Sequence, residues 1–353
     1  MRIRIPPAAV VVAVACSAVT GPPAAGQPAA GPSQDVKPYT ERVEVHRVLL
    51  DVRVTDGLGQ PLEDLGKRDF VVRIDGKAAP VESATWVTGA LRSDGFMTTL
   101  DGSSAATTMP IVEGRLLVFL IQKDLEPSRI IGLMRLLVDA RPFFTAFTPR
   151  DRLAVLSFDS RLRIWTDFTN DLESVRAIMR DGILMSEPAA PVESEAPSLV
   201  AGLSPRGVKR ASTMEEALAL VGHALEPLPG AKSVIIFGHG FGRLGLSGVD
   251  LAPDYTEARR SLRAARASVF CLDVTQADYH SLEVGLEQVA EDTGGFFERT
   301  HLFPKQALNR LAGTLAGHYV LLVERPAVRK GVHKVDVSVP HRGATVLVRD
   351  FVD

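Results

Sequence analysis

The segment that most constrains the fold is an apolar run at residues 116–121, which ends abruptly in Gln122-Lys123-Asp124-Leu125-Glu126. An apolar run without polar interruption is typical of a strand that is buried on both faces of a parallel sheet. In open α/β sheets, the loop that follows such a strand lies where ligands bind. The residues of this loop therefore decide whether the fold carries a working site or only its scaffold.

The chain from residue 115 to residue 324 alternates strand patterns with amphipathic helix patterns. Further apolar strands are predicted at residues 152–158, 233–237 and 268–274, and residues 319–323 are interpreted as the last strand of the same sheet. Such alternation predicts an α/β fold with a doubly wound, mostly parallel sheet and right-handed crossovers.

Both ends of the chain are predicted to be antiparallel β structure. Apolar residues alternate with polar residues over 43–88, around turns such as Asp75-Gly76, and the alternation returns at 333–348 around His341-Arg342-Gly343. Neither end has enough strands to form a closed module alone. We therefore expect the N- and C-terminal segments to form one small antiparallel β-sandwich that the α/β domain interrupts.

The N-terminus has the pattern of an export signal. Arg2 and Arg4 precede an apolar block at 8–19 and a zone of small residues, which predicts a signal peptide cleaved before Gln27 and a periplasmic or extracellular protein. The block is too short to span a bilayer as a mature helix, and no later segment approaches that length. Processing as a lipoprotein anchored at Cys16 is the alternative. After cleavage Cys271 has no partner within the chain, so no internal disulfide is expected.

The predicted organisation consists of six consecutive segments. They are a signal peptide (1–26), a linker (27–42), the first sandwich segment (43–88), a connector (89–113), the α/β domain (114–325) and the second sandwich segment (326–353). The net charge of −2, without long runs of one sign, gives no indication of nucleic acid as a partner.

In this order the segments resemble von Willebrand factor A domain proteins, and more narrowly the secreted "VWFA-related" proteins of acidobacterial type. The resemblance covers most of the mature chain. It rests on the β patterns at 54–61, 65–70 and 74–77, on the strand patterns at 151–155 and 167–169, and on the closing segments at 293–295 and 318–321.

The resemblance also implies where a metal would bind. Members of this fold that hold a divalent metal use Asp-x-Ser-x-Ser after the first strand, a Thr from a second loop and an Asp after the fourth strand, and they leave one coordination position for a partner's carboxylate. Here the first motif falls on residues 122–126, the late Asp falls on Gly238 or His239, and only Thr213 matches. We therefore expect that the metal site is lost and that no cofactor binds. The alternative is a divalent metal held by a rebuilt site, in which His239 would favour zinc or nickel; its ligands would be Asp124, Glu126, Thr213 and His239.

The resulting hypothesis is an exported, non-enzymatic module for protein–protein interaction or adhesion, whose protein partner is unknown. The recognition surface is expected on the loops after the first and fourth strands, with Lys123 or Arg243 supplying the positive charge of the missing metal. The residues of this surface are Gln122, Lys123, Asp124, Glu126, Thr213, His239 and Arg243.

An enzyme on the same scaffold is the alternative from another class. Residues 240–245 spell the dinucleotide-binding fingerprint after a strand, but a loop follows instead of the helix that would face a pyrophosphate, so a surface loop is preferred. Asp159, Ser160 and Asp273 can be combined with His239 into a hydrolase triad, although nothing in the sequence fixes that geometry.

Overall fold

The computed structural model describes residues 46–88, 114–190, 192–194, 197–246, 248–251, 253–326 and 331–352. The predicted signal peptide with Cys16, the linker and the connector at 89–113 lie outside the described residues.

Strands and helices alternate through the middle of the chain, and the described residues on either side of this part form mainly strands, with one short 3-10 helix at Lys67–Asp69. In chain order the strands are β1 (Arg47–Thr55), β2 (Val71–Ile74), β3 (Lys77–Ala78), β4 (Val81–Thr88), β5 (Leu116–Gln122), β6 (Arg152–Phe158), β7 (Leu162–Thr169), β8 (Lys232–Gly238), β9 (Arg243–Gly245), β10 (Gly248–Asp250), β11 (Ala267–Asp273), β12 (Phe297–Arg299), β13 (Gly317–Glu324), β14 (His333–Ser338), β15 (Thr345–Val348) and β16 (Phe351–Val352). The α-helices are α1 (Pro127–Asp139), α2 (Leu172–Ala177), α3 (Ile183–Met185), α4 (Pro205–Arg210), α5 (Met214–Leu225), α6 (Asp254–Ala264), α7 (Glu283–Thr293) and α8 (Pro304–Leu315).

The central sheet has six strands in the order β12-β11-β8-β5-β6-β7. All neighbouring pairs are parallel except β6 and β7, which are antiparallel. All seven residues of β5 are buried, as the uninterrupted apolar run predicts. The predicted doubly wound, mostly parallel sheet is therefore confirmed.

Apolar side chains form a core on each face of this sheet. On one face the strands pack against α5, α6 and α7, through residues such as Leu218, Leu262 and Leu286. On the other face α1 and α8 pack over a cluster of aromatic rings around Phe119. Strands buried on both faces require helices on both sides, which is why the loops at the strand ends are what remains accessible.

The two ends of the chain form two further sheets of four strands, in the orders β15-β1-β13-β4 and β16-β14-β2-β3. Both sheets share one apolar core, in which Tyr319 packs against Phe70 and Trp86. The predicted sandwich built from both terminal segments is confirmed.

The interpretation of residues 319–323 as the last strand of the parallel sheet is wrong. Strand β13 pairs in antiparallel fashion with β1 on one side and β4 on the other. Its residues alternate between buried and half-buried, which suits a strand with one face in a sandwich core and one face outside it. The chain therefore re-enters the sandwich at Gly317, directly after α8.

The sandwich contacts the parallel sheet at the edge where its strands begin. Arg53, on β1, is buried and donates hydrogen bonds to Ser268 Oγ (2.8 Å) at the start of β11 and to Ser233 Oγ (3.3 Å) at the start of β8. Beside it Asp51 accepts a hydrogen bond from Arg266 Nε at 2.8 Å. Burial alone would raise the pKa of Asp51, but the hydrogen bond and the charge of Arg266 hold it below its usual value. The sandwich thus covers the amino edge of the sheet, and the contact is made by charged side chains that are buried or half-buried.

Replacing Asp51 tests this contact. Asp51→Asn leaves Arg266 and the buried Arg53 without a neighbouring negative charge, so we expect the free energy of unfolding to fall by about 3 kcal/mol. The matched control is Glu82→Gln, which removes the exposed pair between Arg47 and Glu82 within the sandwich and should cost no more than about 1 kcal/mol. Urea unfolding measures both, and equal small losses would contradict the role of Asp51.

Candidate functional site

The strand order locates the place where a ligand would bind in this fold. Strand β6 lies on one side of β5, whereas β8 lies on the other side, so the order of the chain reverses between β5 and β8. Ligands of open α/β sheets bind in the crevice at such a switch point, outside the carboxyl ends of the strands. In this chain the crevice lies between Gln122 and Gly238, the last residues of the two strands.

The side chain of Gln122 fills that crevice. Its Oε1 accepts a hydrogen bond from the His239 backbone N–H at 2.9 Å, and its Nε2 donates to the Gly240 carbonyl oxygen at 2.7 Å. The side chain is buried, and both of its polar atoms are satisfied by the loop after β8. Gln122 therefore ties the two loops together at the position where the resemblance implies a metal-binding Asp.

Gly240 allows this close approach of the loop after β8. Its φ is +108°, and a Cβ atom there would lie 2.4 Å from the Leu282 carbonyl oxygen. Any other residue would push the loop away from the start of α7 and would strain its own backbone.

Asp124 and Glu126 bind a cation that the sequence analysis did not consider, Arg129 on the first turn of α1. Asp124 pairs with the guanidinium, and Glu126 Oε2 lies 3.6 Å from Arg129 Nε. Burial alone would raise the pKa of Asp124, but the hydrogen bond from Arg129 and its charge lower it. Glu126 also caps α1 by accepting from the backbone N–H of Ser128, and hydrogen bonds from Ser128 lower its pKa. Both carboxylates of this loop thus pair with a cation of the same chain, Arg129.

Lys123 lies away from this ion pair. Its Nζ lies 6.0 Å from the centre of the Trp165 ring, and burial lowers its pKa while the charge of Asp159 opposes that effect. Arg129, rather than Lys123, is therefore the cation beside Asp124.

Thr213 and Arg243 have local roles. Thr213 caps α5 in a reciprocal capping box with Glu216, whose backbone N–H lies 3.2 Å from the Thr213 hydroxyl. Arg243 is exposed in the hairpin of β9 and β10, where it lies opposite Asp250 in the register of the two antiparallel strands. The structure therefore brings together Gln122, Asp124 and His239, with Glu126 joined to them through Arg129.

His239 is the least satisfied polar side chain of this edge. It is 7% exposed, and neither ring nitrogen has a hydrogen-bond partner among the described residues. The nearest carboxylate oxygen, Asp124 Oδ2, lies 3.8 Å from its Nε2. Burial, reinforced by the charge of Arg129, lowers the pKa of His239 to about 4. The imidazole is therefore neutral at physiological pH and keeps a free nitrogen lone pair.

A second group of polar side chains lies around the end of β11, the strand beside β8, and Asp273 is its only member that the sequence-based predictions named. Asp273, at the end of β11, lies 2.8 Å from His280 Nε2, and Glu283 at the start of α7 accepts two hydrogen bonds from Arg299. Ligand atoms of Asp273, His280 and Glu283 all lie within 4.8 Å of one another. The apolar strand that ends in Asp273 indicates in the sequence that this carboxylate lies at the edge of the sheet. No sequence pattern indicates that the following loop brings His280 beside it.

Both aspartates proposed for a hydrolase triad already have other partners. Asp273 pairs with His280, Asp159 accepts a hydrogen bond from Arg163 Nε at 3.1 Å, and Ser160 adopts a positive φ in the turn between β6 and β7. The structure does not supply the geometry that the triad needs.

The glycine-rich sequence after β8 forms the hairpin of β9 and β10. Helix α6 begins only at Asp254, so no helix starts within the glycines of residues 240–245. A dinucleotide site needs a helix N-terminus at that point. The preferred interpretation as a surface loop agrees with this arrangement.

Comparisons with known proteins give structural neighbours only. The similar solved structures include a von Willebrand factor type A protein from Catenulispora acidiphila, with 11% identity and a TM-score of 0.41 over 85% of this chain and 74% of that one. An aerotolerance-related membrane protein from Bacteroides fragilis is 14% identical, with a TM-score of 0.38 over 57% of this chain and 98% of that one. BatB from Bacteroides thetaiotaomicron is 13% identical, with a TM-score of 0.35 and the same two coverages. These neighbours include the family that the sequence resembles, but the fold class itself rests on the strand order of this chain.

No family model matches the chain, and no curated protein matches it. Among the described residues, none of the helices combines the length and the hydropathy needed to cross a bilayer.

The buried, neutral state of His239 predicts a pH dependence of stability. The folded-state pKa of about 4 lies below the ordinary value of 6.5, so the unfolded chain takes up a proton in this window and the folded chain does not. The free energy of unfolding should therefore fall as the pH is lowered from 6.5 to about 4. We expect His239→Asn to reduce this fall by on the order of 2 kcal/mol, measured by urea unfolding at several pH values. The same pH dependence in both proteins would contradict the neutral, buried imidazole.

Proposed function

We propose that this protein is an exported, non-enzymatic module for protein–protein interaction or adhesion, which binds its partner through the loops at the carboxyl edge of the parallel sheet. Recognition at the switch point uses apolar contacts and charged side chains instead of a divalent metal. The observation that carries the proposal is the exposure of large apolar side chains on the loops of this edge.

Four neighbouring strands are followed by loops that each expose a large apolar side chain. Leu125 after β5 is 88% exposed, Leu244 after β8 is 67% exposed, and Tyr279 after β11 and Phe303 after β12 are each 65% exposed. Large exposed apolar side chains gathered along one edge of a domain are typical of an interaction site. Phe303 also lines a groove with Met134 and Val138 of α1, which extends the apolar surface along the side of the domain.

The opposite edge of the sheet is already occupied. Arg53 of β1 binds residues at the amino ends of β8 and β11, and Asp51 of β1 binds Arg266 just before β11, so the sandwich covers that edge within the chain. The carboxyl edge is where the fold presents loops to a partner. An arrangement with one covered edge and one apolar edge gives the interaction module a defined orientation.

Arg129 supplies a positive charge at the switch point. Its side chain remains 27% exposed although it pairs with Asp124 and Glu126. A guanidinium binds a carboxylate through two parallel hydrogen bonds, so Arg129 suits the carboxylate that the metal binds in related sites. In this proposal Arg129 takes the role that the sequence analysis assigned to Lys123 or Arg243.

Metal-dependent adhesion at the switch point is the alternative function. It would require Asp124 and Glu126 to leave Arg129, and it would need Thr213 to leave the helix cap for the metal. Gln122 also occupies the crevice with both polar atoms satisfied. These contacts support metal-free recognition, and chelation of metals distinguishes the two functions.

A substitution at the loop tips tests the proposed surface. The untagged mature protein, the double variant Leu125→Ser with Phe303→Ser, and the control Leu58→Ser are immobilised and exposed to an envelope extract, with either EDTA or Mg²⁺ present. Leu58 is 82% exposed on a sandwich turn and is not part of the proposed docking surface, which makes it a matched apolar control. We expect the double variant to lose bound proteins by at least roughly tenfold, because apolar anchors contribute on the order of 1–2 kcal/mol each.

Two outcomes of this capture experiment would contradict the proposal. If the double variant retains the same proteins as the wild type and Leu58→Ser, the carboxyl edge is not the docking surface. If EDTA abolishes capture by the wild type and Mg²⁺ restores it, recognition depends on the kind of metal that the alternative function requires. Circular dichroism of the three proteins shows whether the variants are folded.

Export is the remaining element of the proposal. It rests on the charged, apolar and small-residue pattern of residues 1–26, with anchoring at Cys16 as the alternative. Mass spectrometry of the mature N-terminus distinguishes a chain that begins at Gln27 from one that begins at a lipid-modified Cys16.

A further inference from the structure

A second polar group lies one strand away from the switch point, around the end of β11. Asp273 and Glu283 are 1% and 2% exposed, whereas the His280 side chain is 18% exposed and gives the group a route to solvent. Two carboxylates and one imidazole, with ligand atoms within 4.8 Å of one another, provide three protein ligands of the types that zinc takes.

Both carboxylates are held in place by other hydrogen bonds. Asp273 Oδ1 accepts from the Thr275 backbone N–H at 2.9 Å, and Glu283 accepts from Arg299 at 2.8 and 2.6 Å. A carboxylate oxygen has two lone pairs, so these bonds leave acceptor capacity free on each group. Such outer hydrogen bonds orient the ligands of metal sites.

The charge balance favours a cation. The carboxylates of Asp273 and Glu283 carry two negative charges, and Arg299 returns one positive charge. The group therefore has a formal charge of −1 when the imidazole is neutral, so that Coulomb attraction to a divalent cation persists beside the arginine.

Two unpartnered polar side chains lie beside this group, both more than nine-tenths buried. Thr275 Oγ1 has no hydrogen-bond partner among the described residues, although its backbone N–H binds Asp273. Both ring nitrogens of His239 also lack partners among those residues. Buried polar atoms without partners are rare in native proteins, and a bound ion with its water often accounts for them.

The backbone around His239 is fixed against this group on both sides. The Gly238 carbonyl oxygen accepts from the Val274 N–H at 2.8 Å, next to Asp273, and Gly240 packs against Leu282, next to Glu283. His239 is thus held between the two carboxylate-bearing segments.

We propose that Asp273, His280 and Glu283 bind a zinc ion beside the buried side chains of His239 and Thr275. Zinc at His280 Nε2 takes the place of the hydrogen that this nitrogen shares with Asp273, and the neutral ring carries its hydrogen on Nδ1. The bound ion joins the end of β11 to the start of α7 across the loop that carries Tyr279. The site uses none of the residues of the switch-point loop after β5, but its loop carries Tyr279 of the proposed surface, so zinc binding is measured on the isolated protein, separately from partner capture.

Calorimetric titration of the untagged mature protein, stripped with EDTA and dialysed, tests this site. We expect ZnCl₂ to bind with one-to-one stoichiometry and MgCl₂ to give no saturable heat, because the imidazole ligand favours zinc. His280→Gln should weaken zinc binding at least roughly tenfold. The control is His223→Gln, which should leave zinc binding unchanged. His223 lies on α5 and also faces a carboxylate, because its Nε2 lies 3.0 Å from Glu257 Oε1 on α6.

Substitution by Co²⁺ provides a second readout that does not depend on a variant. If Co²⁺ binds at Asp273, His280 and Glu283, we expect the visible absorption bands of a four- or five-coordinate cobalt ion. These bands should disappear when Zn²⁺ is added. Absence of a saturable zinc isotherm overturns the proposal. So does zinc binding that survives His280→Gln in a folded variant, or that disappears in His223→Gln.

Discussion

The hydrogen bonds between the Gln122 side chain and the backbone of residues 239 and 240 close the crevice in which ligands of open α/β sheets bind. They join β5 to β8 at the one place where the strand order of the sheet reverses. An aspartate there would leave the crevice open to a cation, whereas the amide donates and accepts within the chain. Beside the crevice, Asp124 and Glu126 bind Arg129, and His239 is buried and neutral.

The sandwich covers the opposite edge of the parallel sheet. Arg53 and Asp51 of its strand β1 bind residues at the amino edge, and helices cover both faces of the sheet. The chain therefore directs its accessible loops to the carboxyl edge, where apolar side chains and Arg129 are exposed together. The proposed interaction surface rests on this division of the sheet.

The sequence predicts the sheet well because its signals are local. The apolar run before Gln122 marks a doubly buried strand, and Thr213 with Glu216 marks the start of α5. Tyr319 was misassigned because a short apolar strand suits either sheet, and only its pairing with β1 and β4 decides between them. Arg129 and His280 were missed for a related reason: their roles depend on how loops return to the edge, which no spacing in the sequence records.

The most direct test of the closed crevice is the side-chain amide signal of Gln122 in ¹H–¹⁵N NMR spectra of the mature protein. Because Gln122 is buried and bonded to the loop after β8, its amide hydrogens should exchange slowly with water and keep the same shifts in EDTA and in millimolar Mg²⁺. A change in these shifts on addition of Mg²⁺, or rapid exchange of the amide hydrogens, would contradict a crevice closed by Gln122.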